Sequence, residues 1–180
     1  MAAGSSEAPK NSSSHDHAPG NPCISGISTI IQNPALSSLF RDFLESMHCW
    51  ENFAFYLEVM DFIAYYEQIK HTSPRLVISH GALAALYRLY HVFIARGSQW
   101  EVNIDQSLRS PLAALLTSVV EDGNERIESL DQVVNLLRQA QSAIFELLAS
   151  DSLPKFLSRP EYAIIFREYS LHSISATWIS

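Results

Sequence analysis

Leu39-Phe-Arg-Asp-Phe-Leu-Glu-Ser-Met-His-Cys-Trp-Glu-Asn-Phe-Ala-Phe-Tyr-Leu-Glu-Val-Met-Asp-Phe62 is the stretch on which the fold turns. Around its start, Leu36, Leu39, Phe40, Phe43 and Leu44 recur at three- and four-residue steps, the stripe of a helix rather than the alternating face of a strand. Asn33-Pro34 just ahead offers an N-cap acceptor and then proline at the first helical position, where its missing N–H would have had no partner. A second, longer helix is predicted over 50–70. Phe53, Tyr56, Leu57, Met60 and Ala64 make one stripe along it, and Phe55, Val59, Phe62 and Tyr66 make another. A helix apolar on two sides belongs at the centre of a domain.

Outward from this pair the same texture continues. His71-Thr-Ser-Pro74 interrupts it, and Gly81 lies near the start of a helix carrying Leu83, Leu86, Tyr90 and Phe93 that ends at Gly97. Asp105 can cap a turn or a helix start, while Pro111 predicts that regular helix begins anew there, with Leu112, Leu115, Leu116 and Val119 on its apolar stripe. Ser129-Leu-Asp-Gln132 has capping-box form within a long helical segment, 126–150, and Ser158-Arg-Pro-Glu161 is a second such box opening a short helix with Tyr162, Ile165 and Phe166. No stretch alternates with period two. The reading is all-α, several long helices joined by short loops.

The 180 residues, 47% hydrophobic and 17% charged, suffice for one sizeable core. In residues 1–26, fourteen positions are Ser, Pro, Gly or Asn, and Met1 and Ile24 are the only large apolar side chains, so a disordered N-terminal arm is expected there. The domain proper is expected over 30–172 and a C-terminal tail over 173–180. Nineteen acidic against twelve basic residues give a net charge of −7, with the basic ones scattered singly. That balance excludes a surface built to neutralise nucleic-acid phosphates and leaves no polybasic membrane patch, but suits a protein partner with basic regions. Cys23 and Cys49 make no disulfide framework and no Cys-x-x-Cys pair, which fits a reducing, cytoplasmic setting. Nothing resembles a secretory signal or a spanning segment.

Catalytic signatures are missing as well. There is no Gly-x-Ser-x-Gly elbow, phosphate-cradling glycine loop or His-Glu-x-x-His pair. His15 and His17 form a lone pair without a third ligand, and His48, His71, His80, His91 and His172 fall at no ligand spacing, so neither a metal nor a cofactor is expected. A small-molecule enzyme on a helical bundle would have no catalytic constellation behind it.

Three separated segments do more than make helices. The first is the opening stretch, 39–62. The second is Glu101-Val-Asn-Ile-Asp105 with Arg109 four residues on, and the third is Ile144-Phe-Glu-Leu-Leu-Ala-Ser-Asp-Ser-Leu-Pro-Lys-Phe-Leu-Ser-Arg-Pro-Glu-Tyr162. In this order, over roughly 34–169, they resemble the RGS box, the helical domain of regulators of G-protein signalling. The resemblance implies an antiparallel four-helix bundle with a terminal helical subdomain. It also implies a GTPase-activating protein for heterotrimeric Gα subunits, one without an active site of its own. Such proteins bind the switch regions best in their transition-state arrangement, because Gα supplies its catalytic arginine in cis. Glu51 and Asn52 would then face a switch segment. Asn103 would reach the Gα glutamine that orients the attacking water, and Asp105 and Arg109 would brace or rim its loop. Leu147, Asp151, Ser152 and Lys155 would form the third contact. Membrane recruitment, to the inner face of the plasma membrane, would come through the partner.

Independently of any family, Leu147, Asp151 and Lys155 are four apart and share a helix face, and Asp151 can pair with Lys155. The chain also departs from the family pattern. Lys155 replaces a usual arginine, so a looser hold on Asp151 is expected. Cys49, where serine is common, is a poor N-cap, so a less firmly fixed start of the central helix is expected; Trp50 is expected to be exposed. These three departures motivate a second reading, an RGS-like adaptor that binds a protein without stimulating hydrolysis. Extra length relative to compact members falls around 67–80 and 110–128.

Overall fold

The computed structural model describes residues 22–72, 80–120 and 127–176. Eight α-helices occupy them: α1 Pro22–Gln32, α2 Pro34–Ser46, α3 Trp50–Thr72, α4 His80–Leu89, α5 Gln106–Val120, α6 Ile127–Leu147, α7 Leu153–Leu157 and α8 Pro160–Ala176. Two single π turns interrupt the helical path, Tyr90–Ile94 after α4 and Leu148–Ser152 between α6 and α7. No strand occurs among the described residues, as the periodicity led one to expect.

Helices α3, α4, α5 and α6 pack in a closed ring, each on the next and α6 back on α3. The pairings fix their directions. Near the C-terminal end of α3, Tyr66 Oη donates to Asp131 Oδ1 at 2.6 Å and Lys70 Nζ pairs with the same oxygen at 2.6 Å. Nearer its start, Gln141 Nε2 donates to Tyr56 O at 3.1 Å and Tyr56 lies against Phe145. Rising numbers on α6 therefore meet falling numbers on α3, which makes the pair antiparallel. Glu58 with Arg88, and Phe55 with Phe93, show the same for α3 and α4. This is the expected four-helix bundle. Its core includes Phe55, Val59, Phe62 and Tyr66 from one predicted stripe of α3; the other stripe keeps Phe53 buried but leaves Met60 and Ala64 exposed.

The terminal subdomain joins both ends of the chain. Here α1 packs on α2, α7 and the second π turn, while α8 packs on α2 and α7. Phe40, Phe43, Phe53, Phe156 and Tyr162 form its aromatic core, with Phe40 edge-on to both Phe53 and Phe156 at 5.3 and 5.2 Å between centroids. Asn33 caps α2 as its sequence suggests, Oδ1 accepting from Ala35 N at 3.0 Å and Leu36 N at 3.1 Å.

Several local expectations fail. Helix α1 starts at Pro22, inside the stretch 1–26 expected to be a disordered arm, because Ile27 and Ile30 are fully buried beneath it. Gly26 sits where α1 presses on α7: a Cβ there would lie 2.6 Å from Leu153 Cδ2. Residues 1–21 lie outside the described residues. At the other end α8 runs to Ala176, past the expected boundary at 172, and 177–180 lie outside the described residues. Pro111 does not restart a helix; it lies within α5, whose first turn is fixed by Asp105 Oδ1 accepting from Ser107 N at 2.8 Å. In neither predicted box does the serine stand immediately before a helix. Helix α6 begins two residues before Ser129, and Ser158 closes α7 instead, its hydroxyl donating back to Lys155 O at 2.7 Å.

Candidate functional site

The candidate residues lie on three short segments, and the sequence explains how each is held. The first is the start of α3. Helix α2 ends in a Schellman turn: Cys49 N donates to Leu44 O at 3.0 Å and His48 N to Glu45 O at 3.1 Å, with His48 at φ +54°. The lead-in to α3 is thus fixed by backbone, and the Cys49 thiol turns back toward Leu44 O at 3.8 Å instead of capping α3. The loose start expected from Cys49 is corrected accordingly. Trp50 is half-buried, not freely exposed, edge-on to Phe53 at 6.1 Å and beneath the Arg41 guanidinium at 5.9 Å. Glu51 is half-buried, and its Oε1 accepts from Asn52 Nδ2 at 3.3 Å. Asn52 itself is only 8% exposed, and its buried Oδ1 has no hydrogen-bond partner among the described residues. A buried acceptor left bare costs on the order of 1–3 kcal/mol.

The second segment is the loop 98–105. Trp100 N donates to Val92 O and Val102 N to Phe93 O, tying the loop to the π turn, and Gly97 takes the φ of +74° that the reversal requires. Arg109, 7% exposed, reaches across: its guanidinium donates to Ile94 O at 2.8 Å and to Val102 O, and Nη1 stands 3.1 Å from Glu101 Oε1. Glu101 Oε2 also accepts from Gly97 N at 2.8 Å. Val102 and Ile104 point into the core, so Asn103 and Asp105, alternating with them, face outward. Asp105 is held by the Ser107 hydroxyl and amide, which keep its carboxyl below the usual carboxylate value.

The third segment is the corner between α6 and α7. In the π turn Leu153 N donates to Leu148 O, five residues back, and Pro154 follows directly. Leu147, Asp151 and Lys155 are all exposed, whereas Ser152 is only 7% exposed. Lys155 Nζ stands 2.7 and 2.8 Å from the two oxygens of Asp151, so lysine grips the carboxylate at both oxygens where a looser hold was expected. As an exposed i,i+4 pair it contributes about 0.3–0.5 kcal/mol.

The first and third segments share an electrostatic neighbourhood. Burial raises the Cys49 thiol pKa, the charges of Glu51 and Asp151 raise it further, and Lys155 opposes them, so all three lie within electrostatic reach of one sulfur. The loop of Asn103 joins them less directly, through Phe93, which packs on Phe55 one turn along α3 from Glu51 at 5.7 Å. Sequence reasoning did not find Glu101 as the partner of Arg109 and of Gly97 N, nor either π turn.

The match to known proteins covers most of this architecture. Residues 26–164 match the Regulator of G protein signaling domain. The chain belongs to that family. It is 40% identical over 148 residues, 81% of its own length, to the developmental regulator flbA of Emericella nidulans, and 32% identical over 133 residues to regulator of G-protein signaling 1 of Schizosaccharomyces pombe. It is 25% identical over 146 residues to regulator of G-protein signaling 19 of Bos taurus, 55% of whose length is covered. The chain spans 20% of the flbA protein and 27% of the fission-yeast one. The RGS match begins at Gly26, four residues into α1, and ends at Ile164, near the start of α8, so it holds most of α1 and all of α2 and α7. Among the described residues no group of three His, Cys, Asp or Glu could hold a metal, and no helix is long and apolar enough to cross a membrane.

Proposed function

We propose that this RGS domain accelerates GTP hydrolysis by a heterotrimeric Gα subunit, gripping the switch regions in their transition-state arrangement and so shortening the signal. The carrying observation is the presentation of Asn103: an exposed carboxamide on a loop fixed by two backbone hydrogen bonds and by the buried Arg109. A rigid amide able to donate and accept at once suits a partner glutamine that must be held against an attacking water. Arg109 is spent on two carbonyls and Glu101, so it serves the loop and is no arginine finger.

Glu51 and Asn52 would meet one switch segment, the bare Oδ1 of Asn52 finding its donor there. Asp105 rims the Asn103 loop, and Leu147, Asp151, Ser152 and Lys155 make the third contact, with the Asp151 carboxylate able to take backbone N–H groups. Glu51 and Asp151 place part of the −7 net charge at this surface, facing basic switch regions. The domain works in the cytoplasm and reaches the membrane's inner face through its partner.

Binding to a purified Gα in three nucleotide states tests this. The domain should bind the GDP–aluminium fluoride form, a transition-state mimic, at least about tenfold tighter than the GDP form, since acceleration by binding requires that preference. Equal affinity for all three states would favour the adaptor reading. No binding to any state would remove both.

A further inference from the structure

Trp50 stands in the same helical turn as Glu51 and Asn52, yet the proposed contact leaves it unused. Two neighbours hold its indole: the Phe53 ring edge-on at 6.1 Å and the Arg41 guanidinium at 5.9 Å. Arg41 is steadied in turn by Asp42 at 3.7 Å and Glu45 at 3.6 Å. The exposed part of the ring borders a cleft of about 300 Å³ between α2 and α3, whose walls include Pro34, Ser38, Phe53 and Leu57. Among the described residues no side chain fills this space, which lies directly beside the first contact segment.

Resting on the Gα reading above, we infer that Trp50 and Arg41 form a specificity-determining subsite. It takes an apolar side chain at the edge of the partner's switch surface. The chemistry follows from the parts. A rigid, half-buried indole loses little freedom on binding and supplies a large apolar face, the usual make-up of an interface anchor. The cleft's floor is aromatic and aliphatic, so it favours a methyl-bearing or aromatic side chain. Arg41 fixes the ring without filling the cleft. The subsite adds affinity for Gα subunits bearing such a residue and leaves the chemistry at Asn103 alone.

Single-turnover GTP hydrolysis, followed as the domain concentration is varied, separates these effects. Trp50→Ala should raise the concentration for half-maximal acceleration about tenfold and keep the maximal rate within about twofold, the signature of lost uniform binding. Trp50→Phe should recover part of the loss, and Arg41→Ala should cost about threefold. Ser38→Phe, which fills the cleft from its exposed edge and leaves the indole in place, should weaken half-maximal acceleration in the same way. That variant carries the test if Trp50→Ala lowers the melting temperature by more than about 5 °C. A half-maximal concentration that is unchanged or lower in Trp50→Ala and Ser38→Phe would overturn the subsite while the wild type still accelerates. A wild type that accelerates no Gα would instead fail the functional proposal, and the subsite with it.

Discussion

His48 occupies the left-handed position that closes α2, at φ +54°, where glycine is the usual residue because a Cβ is strained there. His48→Gly should therefore stabilise the domain by about 0.5–1 kcal/mol, the relief of strain exceeding the added entropy of the unfolded chain. Chemical denaturation of the two proteins checks the sign. Next to it, the raised pKa of Cys49 keeps the thiol protonated near neutrality. In a Cys23→Ser background, alkylation should be slow at pH 7 and should rise through an apparent pKa above the ordinary 9.0. A midpoint at or below that value would contradict the burial and the acidic neighbours. Some of this scale could be read directly from sequence. Asn33 caps α2 because cap and helix are adjacent in the chain. The Schellman turn was hidden because its defining residue is histidine and not glycine. Cys49, read as a weak forward cap, bonds backward instead.

At the scale of elements, the apolar periodicity of α2, α3 and α6 located those helices because each buries a continuous stripe. The errors came where long-range packing overrides local signals. Helix α1 lay within a stretch whose Ser, Pro and Gly content suggested disorder; Ile27 and Ile30 find a core only once α7 and α2 are folded around them. Pro111 is accommodated because Asp105 caps the first turn of α5 and Leu112, Leu116 and Val119 bury the rest. The π turns answer to tertiary demands that no window of sequence contains. Gly26 supplies a test of the α1–α7 contact. Gly26→Ala improves helix propensity, yet its methyl would meet the buried Leu153 side chain at 2.6 Å. The net effect should be a loss of about 1–2 kcal/mol, overpacking exceeding the propensity gain. A thermal melt that moves upward would show that Leu153 can step aside.

For the whole molecule, the ring of α3 to α6 holds the Asn103 loop through Phe93 and Arg109, while the terminal subdomain holds the start of α3 against the α6–α7 corner. The resemblance to the RGS box named the candidate residues, but spacing alone could not say which stand free. The structure exposes Asn103, Asp105, Leu147, Asp151 and Lys155, half-buries Glu51, and covers most of Asn52 and Ser152. The central claim is that Asn103 acts on a partner's chemistry and not on this domain's stability. Single-turnover GTP hydrolysis by a purified Gα, with wild type and Asn103→Ala at saturating concentration, tests it most directly. The wild type should raise the rate, and Asn103→Ala should lose about 10–100-fold of that acceleration while its unfolding free energy stays within about 0.5 kcal/mol. Acceleration that survives the substitution, or a wild type that accelerates none of the host's Gα subunits, would contradict the account.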